Sequence, residues 1–134
     1  MEFKIVVDGK PVSWAAHKGY GKRAFNPKFK ERKYYQWIIK DQCELSAPIK
    51  TAVKVNVMYH MIMPTSFSKK KKLQALSGNL AHVKRPDLDN LNKFLMDCLK
   101  GIIFEDDSQV YKIECEKIYA DKPKTVINIY SNPS

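Results

Sequence analysis

Between Pro86 and Gly101 the chain places Leu88, Leu91, Leu95, Cys98 and, just beyond, Ile102 at successive spacings of three, four, three and four. An α-helix brings side chains so spaced onto one stripe, and such a stripe must be buried against a second layer. Phe94 and Leu99 widen it, and Gly101 marks the helix end. A second strong pattern is "TAVKVNVMYHMIM", residues 51–63. Val53, Val55, Val57, Tyr59 and Met61 alternate there with Lys54, Asn56, Met58 and His60, which predicts a long strand ended by Pro64.

The remaining elements are read the same way. "FKIVV", 3–7, is a strand followed by an Asp8-Gly9 turn, and residues 10–27 read as a loop or loose hairpin. A helix is expected over 28–45, where Tyr35, Ile39 and Cys43 fall four apart beside Tyr34 and Ile38. Residues 65–78 read as a short helix capped by Ser66 or Ser68, with Leu73 and Leu76 inward and Gly78 closing it. Strands follow at 109–119 and 124–130, joined by "ADKPK". Neither a repeat nor a linker divides the 134 residues, so 1–134 form a single domain. The order β-α-β-(α)-α-β-β predicts an α+β fold, a mainly antiparallel sheet packed with helices.

The formal charge is +10, which attracts polyanions, nucleic acid before an anionic membrane surface. It is unevenly spread. Lys18, Lys22, Arg23, Lys28, Lys30, Arg32 and Lys33 face one acid, Glu31, and no acid stands between Glu44 and Asp87. Nine of the 14 acids lie within 87–121. No apolar run is long enough to span a bilayer and the N-terminus starts directly as a strand, so a soluble cytoplasmic protein is expected. Cys43, Cys98 and Cys115 show no CxxC or Cys/His spacing and read as three buried thiols.

The acids flank the best-patterned helix. Asp87 and Asp89 precede it, and Glu105, Asp106 and Asp107 follow it. Taken alone, Asp87 and Asp89 read as helix caps and Asp106–Asp107 as an acidic turn. If a strand runs back along the helix, or the 101–108 loop folds under it, the two groups converge, and carboxylates at that density need a metal. Lys93, four residues after Asp89, is either an ion-pair partner or a cation that stabilises charge on a phosphate. Lys69, Lys70, Lys71 and Lys72 are equally a solvated helix face or a contact to phosphates. His60 reads as a satisfied strand histidine, whereas His82, in a polar loop before Asp87, can touch phosphate or move a proton. Trp14, His17, Lys18, Tyr20, Lys22, Arg23 and Phe25 mix bases with stacking groups, against a reading in which Trp14 and Phe25 pack on the sheet. Ser/His/Asp chemistry has no support, and without a Gly-rich phosphate loop no nucleotide cofactor is expected.

The stretch "HVKRPDLDNLNKFLMDCLKGIIFEDDSQV", residues 82–110, resembles the RusA family of Holliday junction resolvases, found mainly in prophages and phages. The family pattern is a basic residue, Pro, Asp-x-Asp-Asn-Leu-x-Lys, a helix, a Gly-containing turn and Asp-Asp-x-x-Val/Ile. A looser match runs through 51–64, 66–72 and Lys117. The resemblance implies a small α+β homodimer that cuts four-way junction DNA by paired symmetric nicks with Mg²⁺, which Mn²⁺ can replace. It implies catalytic Asp87, Asp89, Asp107 and Lys93, with Asp106 as a further metal carboxylate. Lys84 and Arg85 stand with Lys22, Arg23, Lys69–Lys72 and His82 as DNA-contact candidates. The segment "PVSWAAHKGYGKR" lacks the Arg-rich pattern that members often carry after the first strand. Two other readings stay open: an endonuclease of the same chemistry that prefers flaps or forks, and a DNA-binding protein that does not cut.

Overall fold

The structure, a computed structural model, describes residues 1–16, 19, 21 and 26–131. Seven elements follow one another: β1 (Glu2–Asp8), α1 (Phe29–Cys43), β2 (Val53–Ile62), α2 (Lys69–Leu76), α3 (Leu88–Leu99), β3 (Val110–Ala120) and β4 (Lys124–Ser131). A single 3₁₀ turn, Asp107–Gln109, leads into β3. Every expected element is present, with ends displaced by a few residues.

The strands form one sheet in the order β1-β4-β2-β3. β1/β4 and β2/β4 are antiparallel, and β2/β3 is parallel. The fold is therefore α+β with a mixed sheet. Parallel pairing of β2 and β3 requires a crossover, which α2 and α3 provide.

α1 and α3 cover one face of the sheet. On that face Ile5, Val7, Val53, Val55, Val57, Ile127 and Ile129 meet Tyr35, Ile39, Leu91, Phe94, Leu95 and Leu99, all buried. Tyr35 and Phe94 pack edge to face at 5.2 Å and lock the two helices together. The expected stripe of α3 is thus its buried face, but Ile102 lies past the helix end and is only half-buried.

Two expectations need correction. Leu73 and Leu76 of α2 point outward, 70% and 47% exposed, and Ala75 is the buried residue of that helix. α2 is only eight residues long and lies near the edge strand β3, so a small side chain sets the approach and the leucines fall outside it. Cys115 is half-buried, because β3 ends the sheet, whereas Cys43 and Cys98 are buried.

Candidate active site

Asp87 is the N-cap of α3: one carboxylate oxygen accepts the Asn90 N–H at 2.9 Å. Among the described residues the other oxygen has no partner, and Asp89, in the first turn, is exposed. Both carboxylates stand at the positive end of the helix dipole. The backbone leading into them is fixed from below by Lys117 of β3. Its ammonium donates to the Lys84 carbonyl at 2.7 Å and the Pro86 carbonyl at 2.9 Å. Residue Lys117 so ties the loop carrying Lys84 and Arg85 to the sheet edge.

Beside Asp87 opens a cleft of about 740 Å³. Arg85, Asp87 and Asn90 form one wall, and Lys10, Lys28 and Glu31 contribute from β1's following loop and the start of α1. Lys10, Lys28 and Glu31 carry no motif; the packing of α1 on α3 brings Lys28 and Glu31 here, and the loop after β1 brings Lys10.

Lys93 does not pair with Asp89. Its ammonium lies 3.6 Å from the centre of the Trp14 ring, and the Trp14 N–H donates to the Asn90 carbonyl at 2.9 Å. Trp14 therefore packs against α3, half-buried, and holds Lys93 by a cation–π contact. His17, Lys18, Tyr20, Lys22, Arg23 and Phe25 lie outside the described residues.

The second acidic group is built differently. Asp106 accepts from the Ser108 N–H at 3.2 Å and lies 3.2 Å from the Lys100 ammonium. These contacts, the Ser108 hydrogen bonds first and Lys100 after them, pull its carboxyl down to about 2. Gln109 fixes the same turn: its side-chain oxygen accepts from the N–H groups of Glu105 and Asp106, and its amide donates to the carbonyls of Ile49 and Thr51. Asp107, like Glu105, is exposed.

One chain does not bring the two acidic groups together. Lys100, beside Asp106, is the C-cap of α3, and Asp87 is its N-cap. The 12 residues between them span ~18 Å. β3 does run back along the helix, since it starts beside Gln109 and reaches Pro86 through Lys117. The acids, however, precede that strand and stay at its far end. Among the described residues, no three His, Cys, Asp or Glu side chains are placed to hold a metal ion together.

His82 is half-buried against Tyr119, with ring centres 4.9 Å apart. Burial, helped by nearby Lys117, lowers its pKa, so the ring is neutral at pH 7. Lys69–Lys72 are fully on the surface at the start of α2, where Ser68 caps the helix by accepting the Lys71 N–H. Beneath the site, the Tyr59 hydroxyl donates to Asn92 at 2.7 Å and Asn92 donates to the Cys115 sulfur at 3.3 Å, linking β2, α3 and β3. Burial pushes the Tyr59 hydroxyl's pKa up, so it remains a donor.

The profile of the RusA endodeoxyribonucleases matches residues 8–130, and the chain belongs to that family. It is also similar to the uncharacterized protein YqaN of Bacillus subtilis (strain 168), 32% identical over 133 residues that cover 94% of each chain. No helix among the described residues is long and apolar enough to cross a membrane.

Proposed function

We propose that the protein resolves four-way DNA junctions in recombination and repair, as a Mg²⁺-dependent homodimer that makes paired symmetric nicks in the cytoplasm. The observation that carries this reading is the exposed pair Asp87 and Asp89 at the start of α3, of which Asp87 lines an open cleft together with Lys10, Lys28 and Arg85. Proteins hold Mg²⁺ through one or two carboxylates, with water and substrate phosphate completing the shell. The free oxygen of Asp87 and the Asp89 carboxylate meet that need, and Asp107 does not join them within one chain. When bound, Mg²⁺ supplies a Lewis acid for the phosphate oxygen and an acidified water; Mn²⁺ has the same hard-ligand chemistry.

The chain's own residues do the rest. Lys10, Lys28, Lys84 and Arg85 hold the DNA backbone against the cleft. Lys93, oriented by Trp14 one turn from Asp89, places a fixed positive charge where the phosphate becomes more negative. Lys117 keeps the carbonyls of Lys84 and Pro86, and so the entry to Asp87, in place. Lys69–Lys71 occupy the first turn of α2, where cations oppose the helix dipole. That small cost is understandable if these side chains meet phosphates. Neutral His82, within reach of the same loop, is suited to accept a proton rather than to add charge.

The experiment is cleavage of a synthetic four-way junction, a flap and a linear duplex, with Mg²⁺ or EDTA, by wild type and Asp89→Asn. Mg²⁺-dependent paired nicks in the junction, absent in the variant, are expected. Flap cutting in preference to the junction would move the substrate class. Binding without cutting would overturn the metal site.

A further inference from the structure

α1 buries Tyr35, Ile39 and Cys43 and turns its opposite side to solvent. Three large rings stand on that outer side: Phe29, Tyr34 and Trp37, 54%, 48% and 67% exposed. At 3.6 residues per turn they fall within an arc of about 140°. Lys30, Lys33 and Lys40 share the arc and are exposed, and the one acid of the helix there is Asp41. Two of the rings have company. The Lys33 ammonium lies 4.7 Å from the centre of the Phe29 ring, and Tyr34 packs edge-on to Tyr35 at 6.3 Å. Trp37 is the most exposed aromatic of the described residues, and among them its ring has no ring or cation contact. A chain gains nothing in its own core from rings so placed, and exposed apolar groups that cluster mark a contact surface.

We propose that the outer face of α1 takes the unstacked bases of a single DNA strand, with Trp37 as the stacking platform and Lys30, Lys33 and Lys40 on the strand's phosphates. The composition of the face selects this occupant. The centre of a protein interface is enriched in aromatics but depleted of Lys, and here the ammonium groups alternate with the rings. A second copy or an apolar partner would have to desolvate them. Duplex DNA supplies phosphates, but its base faces are already stacked on one another and leave Trp37 without a partner. An unpaired strand offers both at once, a negative backbone and open π-faces, and aromatics interleaved with bases are the surface that binds it.

Position points the same way. The face begins with Phe29 and Lys30, next to Lys28, which lines the cleft together with Asp87. From Phe29 to Trp37 is ~12 Å along the helix axis. A strand held at the cleft therefore meets the rings as it leaves, and nucleotides at the branch point of a junction or flap are the ones free to unstack. This path rests on the proposed cleavage of branched DNA, whereas the stacking face itself does not.

The test is binding of a labelled oligo-dT strand and of a duplex of equal length, in EDTA, by wild type, Trp37→Ala and Trp37→Phe, each checked for fold by circular dichroism. Trp37→Ala is expected to weaken strand binding about fivefold to a hundredfold, the scale of one stacked base, and duplex binding by less than about twofold. Trp37→Phe should keep most of the strand affinity. In a Trp14→Phe background Trp37 is the only tryptophan, and its emission should be quenched by the strand and not by the duplex. Equal losses on strand and duplex, or no quenching, overturn the stacking face. Emission that responds to protein concentration, or to vesicles with anionic headgroups, but not to the strand overturns it too and gives the face to a second copy or to a membrane. Strand binding that depends on Trp37 in a protein that cuts nothing upholds the face and sinks the cleavage reading instead.

Discussion

The two ends of α3 present the same chemical groups in opposite conditions. At the N-terminal end Asp87 spends one oxygen on a cap and lines a basic cleft, and Asp89, two residues on, is exposed. At the C-terminal end Asp106 is tied to Ser108 and Lys100, whereas Glu105 and Asp107 are exposed. Counting carboxylates therefore overstates what is available for chemistry. One end offers a donor pair beside a cleft, and the other offers its carboxylates on a rigidly built turn. Asp106, through Ser108 and Lys100, holds the turn that carries Asp107.

The sharpest way to break this comparison is to change the two neighbours separately. Asp107→Asn is expected to lower junction cleavage roughly 10²–10³-fold, the scale of losing one electrostatic group of the transition state. Asp106→Asn should lower it only a few-fold, through a looser turn. Equal losses in single-turnover assays would mean that both carboxylates act alike. Next in size is a change to the floor that both ends share. Phe94 is 3% exposed and packs on Tyr35, so Phe94→Ala should cost about 3–5 kcal/mol in urea unfolding. That loss would strike both ends together.

A smaller effect concerns the basic surroundings. Replacing Lys69–Lys72 by Gln should reduce the slope of log affinity against log salt by up to about 4 for duplex arms, and leave the Mg²⁺ requirement unchanged. An unchanged slope would make α2 a solvated face. The smallest effect is an acid titration. Asp106 has its carboxyl lowered in the fold from 3.8 to about 2. A lowered value means that its pairing stabilises the turn above the unfolded value and is lost as pH falls through the folded one. Amide exchange of 105–109 should therefore rise between about pH 4 and pH 2, and Asp106→Asn should abolish that dependence.

The periodicities of 51–63 and 88–102 determined, from sequence alone, the long strand, the striped helix and the α+β class. The family resemblance of 82–110 likewise stood on contiguous residues, and the chain does belong to that family. These are local properties, since a strand or helix period is set by backbone geometry within a few residues. The inward placement of Leu73 and Leu76 failed because a short helix near a sheet edge is fixed by what it rests on. Tertiary structure alone decided that Lys93 lies on Trp14, that Lys117 reaches back 31 and 33 residues to Pro86 and Lys84, and that Lys10, Lys28 and Glu31 join the cleft. It also decided that the two acidic groups stay a helix length apart. Their separation in sequence is the same whether the following loop folds under the helix or departs from its end. Only the parallel pairing of β3 with β2, and the Gln109 bonds that anchor its start, settle which path the chain takes.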